Sequence, residues 1–173
     1  MSLILSFIFS SLLSGAIAFS HFFLPGTSPF IATLPGLNGV FTSTPPSEIG
    51  IHDHHLAACP ASPNCVVSEG QSDDPDHYIE PIVYEGDRNT AREVLLKVLT
   101  VVPRTQVIEQ TDGYIRIEST SRLLGFVDDG EFYLPEDESL IYIRSSSRLG
   151  ESDLGVNRRR LEQIRLAMAD LGA

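Results

Sequence analysis

Three consecutive arginines, Arg158-Arg159-Arg160, follow the stretch Ser145-Ser-Ser-Arg-Leu-Gly-Glu-Ser-Asp-Leu-Gly-Val-Asn157 in a chain whose net charge is -11. Among its twelve basic residues only Lys97 is a lysine. A guanidinium offers a planar, two-pronged set of donors that matches a carboxylate or a phosphate. The segment therefore either grips an external anion or clasps carboxylates of its own fold. Two Ser-Arg-Leu segments, Ser121-Arg122-Leu123 and Ser147-Arg148-Leu149, repeat the chemistry, each with a glycine close behind it. A glycine there lets the backbone approach a ligand closely. The candidate ligand-binding set is Arg122, Asp128, Asp129, Arg144, Ser147, Arg148, Asp153, Asn157 and Arg158.

Cations in the first turn of a helix oppose its dipole, so Arg158 to Arg160 need an account. Three are open. The helix starts earlier, with Ser152 or Asp153 as cap; the arginines pair with nearby acids, Glu151 and Asp153 among them; or the helix terminus and the arginines together receive an anion.

Two other clusters carry chemistry. Cys59-Pro-Ala-Ser-Pro-Asn-Cys65 places two cysteines six positions apart around two prolines, and on an exported chain this reads as a local disulfide. A nucleophilic thiol would need a base, and His77 is the only histidine beyond this region. His52-Asp53-His54-His55 does not have the two-to-four-residue spacing of zinc ligands. No metal and no cofactor is expected.

The elements that position these residues follow from periodicity. Thr90-Ala-Arg-Glu93 has the form of a capping box. Ala91, Val94, Leu95, Val98, Leu99 and Val102 continue it at helical spacing, up to Pro103. Four strands are expected at Thr105 to Thr111, Tyr114 to Ser121, Gly125 to Leu134 and Leu140 to Ser146, the first two joined by a tight turn at Asp112-Gly113. Tyr78 to Tyr84, which contains Pro81, suits only a sheet edge. Alternation puts Ile115, Ile117, Ile141 and Ile143 inward, and Arg116, Glu118, Thr120, Arg122, Tyr142, Arg144, Ser146 and Arg148 on the other face. Asp128 and Asp129 point to opposite faces. A closing helix buries Leu161, Ile164, Met168 and Leu171. The expected fold is α+β, an antiparallel sheet of about four to five strands with two helices packed on one face, which leaves a charged outer face bearing an arginine ladder.

The amino-terminal run to Gly15, uncharged and apolar and followed by Ala16-Ile17-Ala18, reads as a secretory signal peptide over residues 1–18. Residues 19–58 read as a transit-like or flexible segment, proline-rich and linker-like from Thr42 to Asp76. The single domain is placed at 59–173, its regular structure starting near His77. The Ala18-Phe19 junction resembles that of two-part plastid presequences. A plastid reached through the secretory pathway is expected, with secretion as the alternative, and no integral membrane span after processing. The acidic field repels nucleic acid.

Cys59-Pro-Ala-Ser-Pro-Asn-Cys-Val66, Asp76-His-Tyr-Ile79, Ser121-Arg-Leu-Leu-Gly-Phe-Val-Asp-Asp-Gly-Glu-Phe132 and Ile143 to Arg158 together resemble the domain of unknown function 1499 family, over about Cys59 to Leu171. Val67 stands where the family pattern has a serine. The family's activity is not established, so the resemblance implies boundaries and no reaction. The residues themselves lead to a non-catalytic binding or assembly module that takes an acidic protein partner or a small anion. The alternatives are a small hydrolase-like enzyme using Asp128, Asp129 or His77 with arginine charge stabilisation, or a carrier of a small ligand. No Gly-x-Ser-x-Gly elbow or phosphate loop supports the enzyme.

Overall fold

The structure is a computed structural model of the chain, and it describes residues 43–70 and 72–172. The signal-peptide reading, and the transit-like segment as far as residue 42, lie outside the described residues; Ile51 to Leu56 of that segment form a hairpin. In chain order the elements are Ile51–His52 (β1), His55–Leu56 (β2), Cys65–Val67 (β3), Ile82–Val83 (β4), Arg88–Leu99 (α1), Thr105–Gln110 (β5), Tyr114–Thr120 (β6), Val127–Tyr133 (β7), Leu140–Ser147 (β8) and Val156–Asp170 (α2).

The α+β class stands, but the sheet has six strands, not four to five, and a separate two-stranded hairpin accompanies it. Its order is β3-β8-β7-β6-β5, all antiparallel, and β4 also pairs with β8. Thus β8 is flanked on one side by β7 and on the other by two short strands in succession. The additional strand, β3, comes from the stretch expected to be a linker. Pro60 and Pro63 sit in the loop before it, so the prolines bound the strand and do not interrupt it. Cys65, Val66 and Val67 are buried. Pro81 immediately precedes the short β4, as an edge position requires.

Alternation sets the two faces. Ile115 lies opposite Phe132, and Phe132 opposite Ile143, so one face is apolar and joins Ala91, Leu95, Val98 and Leu99 of α1 and Leu161, Ile164 and Met168 of α2 in a single core. Burying side chains of this size stabilises by roughly 1.5 to 3 kcal/mol each. The helices are not two equal covers for that face. α2 lies against β8 and β3, while α1 packs mainly on α2 and meets the sheet toward β5. At the centre of the sheet Gly130 is required. A Cβ there would come within 2.7 Å of Cγ1 of Ile117, whose side chain fills the space over the glycine.

Two local expectations change. The cap of α1 is Asp87, whose carboxylate accepts from the Thr90 amide at 2.9 Å. Thr90 therefore sits inside the first turn and the box at Thr90-Glu93 does not form. Leu171 is half exposed and leaves the buried stripe of α2, because the helix has ended at Asp170.

Candidate functional site

The outer face of the sheet is not open to solvent. Arg116 and Glu118 of β6, Asp129 and Glu131 of β7 and Arg144 of β8 point to it, and Arg148 reaches it from just beyond β8. Asp129 and Glu131 are 1% and 0% exposed, and Arg144 is 4% exposed. Arg116 donates Nη2 to Asp129 Oδ1 at 2.9 Å and to Glu118 Oε1 at 2.7 Å. Arg148 donates Nε to Asp129 Oδ2 at 2.7 Å and Nη2 to Asp129 Oδ1 at 2.9 Å, and also to Glu118. One rung along, Arg144 Nη1 meets Glu131 Oε2 at 2.7 Å. The other oxygen of Glu131 accepts from the Tyr114 hydroxyl and the Gly50 amide, each at 2.8 Å. Three guanidiniums thus meet three carboxylates, and no net positive charge remains on this face to attract an anion.

The upstream chain covers this network. Ser43 offers its carbonyl to Arg148 Nη1 at 2.9 Å, and Gly50 caps Glu131. The hydrogen bonds of Asp129 hold Arg148 protonated more firmly than an ordinary arginine, outweighing the opposite effect of burial, and Glu118 adds to them. Burial, with Glu131 beside it, pushes the Tyr114 phenol well above its usual range. Arg144 is the least complete rung, since its buried Nε has no partner among the described residues.

A second network lies at the start of α2, on the helix side of the sheet. Asp128 does point away from Asp129, as alternation requires, and accepts from Ser147 Oγ at 2.6 Å and from Arg160 Nη2 at 2.7 Å. Asn157, fully buried, uses its whole amide. Its Nδ2 donates to the Asn64 carbonyl at 3.1 Å and to Ser147 Oγ at 3.0 Å, and its Oδ1 accepts from Ser145 Oγ at 2.6 Å and from Arg160 Nη1 at 2.9 Å. An amide has two donors and two acceptor sites, so it has nothing left for a ligand.

The three arginines separate. Arg158 donates to the carbonyls of Tyr78, Pro75 and Asp76; Arg159 donates to that of Leu154; Arg160 pairs with Asp128. The helix terminus is also occupied. Asp153 accepts from the amides of Gly155 at 2.9 Å and Asn157 at 2.7 Å. The cap residue itself is Gly155, in the left-handed conformation with φ 74°, so the helix begins later than Ser152 or Asp153, while the Asp153 carboxylate still satisfies its first donors.

Of the candidate residues, the fold brings Asp129 and Arg148 together on one face, with Arg144 a rung away, and Asp128, Ser147 and Asn157 together on the other. Arg122 joins neither; it is exposed in the loop between β6 and β7. Sequence reasoning passed over Glu118, Glu131, Arg116, Asn64 and Arg160 as site members. Spacings of two, Arg116 to Glu118 and Asp129 to Glu131, put these charges on one face, but pairing them needs the strand register.

Cys59 and Cys65 form a disulfide. His77 binds Asp74 through Nδ1 at 2.7 Å and lies 3.3 Å from the Ser62 carbonyl through Nε2. His52 to His55 form the turn of the β1-β2 hairpin, with Asp53 and His54 both at positive φ. His52 faces the Glu48 carbonyl and His55 pairs with Glu69.

Residues 55–168 match the family described as Protein of unknown function (DUF1499), and the chain belongs to that family. No curated protein and no solved structure matches the chain. Both ion networks lie within the matched residues, whereas Ser43 and Gly50, which cover the outer face, precede them.

Proposed function

We propose that the chain is a non-catalytic binding module that docks an acidic protein partner through the loops at one end of its sheet. The observation that carries this reading is the position of the exposed arginines; of the other basic side chains, Lys97 is exposed on α1 and the rest are buried or half-buried. Three arginines of the described residues are exposed, Arg104, Arg122 and Arg159, and none has a carboxylate partner among those residues. All three belong to the same end. Arg104 exchanges hydrogen bonds with Thr120 at the end of β6. Arg122 follows in the next loop, whose closing strand is bonded to Arg148. Arg159 holds the Leu154 carbonyl beyond β8. Asn64 ties that loop to the same edge through the Gly150 carbonyl.

Apolar side chains stand among these arginines. Leu123 is 79% and Leu154 84% exposed, with Leu124, Leu149 and Val156 less so. Large exposed apolar side chains edged with charge suit an interaction site, and the sign of the charge selects an acidic partner. The acids of residues 147–159 are Glu151 and Asp153, and Asp153 is engaged in the helix cap. The buried ladder arginines contribute by holding the sheet rigid behind these loops. Native mass spectrometry of the mature protein, gently purified from its own cells, tests the proposal. A stoichiometric protein partner that is lost with Arg122→Glu supports it; a retained small molecule without a protein partner contradicts it.

The module's proposed location is a plastid reached through the secretory pathway. The Ala18-Phe19 junction supports it, and the disulfide suits a route through an oxidising compartment. Among the described residues no helix is long and apolar enough to cross a membrane. A fluorescent fusion of the full chain should mark plastids; fluorescence in the medium alone would favour secretion.

A further inference from the structure

At the opposite end of the sheet a cavity of about 790 Å³ opens between the β1-β2 hairpin, the Asp112-Gly113 turn and the loop after β7. One wall is aromatic. The rings of Tyr133 and Tyr142 stack with centroids 6.2 Å apart and an interplanar angle of 27°. The remaining lining is strongly acidic, with Glu69, Asp112, Glu136, Asp137 and Glu138 against one guanidinium, Arg88. Part of this charge is already engaged. Glu69 binds His55 and the Leu56 amide, and Glu138 accepts from the Tyr142 hydroxyl at 2.8 Å. Asp112, Glu136 and Asp137 have no such partner among the described residues.

Tyr133 supplies an independent observation. It is only 9% exposed, lines the cavity, and its hydroxyl makes no hydrogen bond to any described residue. The hydroxyl itself is not sealed off, so it is open to the cavity and available to a ligand. Burial and the nearby carboxylates of Asp137 and Glu69 raise its ionisation above the usual phenol range, so it is a neutral group able to accept or donate one hydrogen bond.

We propose that this cavity binds a small organic cation with an apolar stem, an alkylammonium or guanidinium. The free carboxylates draw the charge, and the tyrosine faces accept a cation against their π electrons. The Tyr133 hydroxyl accepts an N–H of the cation, and the apolar stem lies along Ile51. An anion is excluded by the same field, and an uncharged ligand would leave the excess of carboxylates without a role. The assignment is independent of the docking surface, which lies at the other end and has the opposite charge.

The test is a titration of the full chain with 1,4-diaminobutane, followed by amide NMR shifts at fixed ionic strength, with 1,4-butanediol as the uncharged analogue. The proposal predicts saturable shifts centred on Gly113, Tyr133 and Leu134 with the diamine and none with the diol. Tyr133→Phe and Asp137→Asn, both nearly isosteric, each weaken the diamine by about 3- to 10-fold, whereas Val101→Ala, at an exposed position outside the cavity, leaves its affinity unchanged. No saturable binding, equal response to the diol, shifts spread over the whole acidic surface, or wild-type affinity in both cavity variants would each overturn the assignment.

Discussion

Arg148 and Asp129 meet side-on, Nε to Oδ2 at 2.7 Å and Nη2 to Oδ1 at 2.9 Å, in a part of the sheet where the carboxylate is 1% exposed. Arg116 approaches the same carboxylate from β6, so Asp129 and Glu118 together neutralise two guanidiniums that could not otherwise stay buried. Removing one member of a buried ion pair costs more than the pair contributes, because the partner's charge is left without compensation. Asp129→Asn should therefore destabilise the fold by about 3 to 5 kcal/mol, read from urea unfolding. Arg122→Ala, at an exposed arginine, should change the same midpoint negligibly. Comparable losses in both variants would contradict the division between structural and exposed arginines.

The amide of Asn157 joins α2 to β8 and to the chain before β3. Asn157→Ala strands the hydroxyls of Ser145 and Ser147 and the Asn64 carbonyl away from one partner each, and about 2 to 4 kcal/mol should be lost. Pairing it with Ser147→Ala in a double-mutant cycle should give a coupling of about 0.5 kcal/mol or more. Additive losses would mean that the network acts as separate bonds.

Gly130→Ala forces a methyl against Ile117, at 2.7 Å from Cγ1 and 2.9 Å from Cδ1. Overpacking of this kind costs roughly 1 to 3 kcal/mol. The double variant with Ile117→Val, which removes Cδ1, should recover part of the loss; a greater loss in the double variant would count against this packing.

Strand positions from Thr105 onward are legible in the sequence to within two residues, since alternation and the Asp112-Gly113 turn act locally. The opposite directions of Asp128 and Asp129 follow from the same alternation. What sequence alone does not carry is register. Glu131 lies opposite Arg144 and Arg116, yet Arg116 pairs with Asp129, two residues away along β7, because a long side chain reaches diagonally across the sheet. The Tyr133-Tyr142 wall has the same origin, two residues nine apart brought opposite by the β7-β8 register. β3 is hidden for another reason. Three residues are too few to show alternation, and buried on both faces they read as a short apolar remnant between prolines. At α1 the chain offers two overlapping caps, Asp87 and Thr90. Gly86, with φ 89°, turns the backbone just before Asp87 and places the earlier one at the helix start.

The clasp of His77 on Asp74 gives the stability a pH dependence. The hydrogen bond with Asp74 raises the His77 pKa above its ordinary value of 6.5, with burial opposing. A raised folded-state value stabilises fully below the unfolded value, and the contribution is lost as pH rises through the folded one. The stability difference between wild type and His77→Gln should therefore be largest in mildly acidic solution and shrink above neutrality. Urea midpoints at three pH values from mildly acidic to mildly alkaline would show it, and a difference that grew with pH would contradict the clasp.

Structural arginines lie inside the sheet, and the proposed binding is at the loop end that carries Arg122, Leu123 and Leu154. The measurement that tests this most directly is photocrosslinking in the protein's own cells from a probe at Leu123, compared with one at Val83, which is 65% exposed beside the start of β8. One protein adduct is expected from position 123, absent from position 83 and abolished by Arg122→Glu, with the crosslink mapping to an acidic segment. An adduct from position 83 alone, or one from position 123 that survives Arg122→Glu, would contradict it.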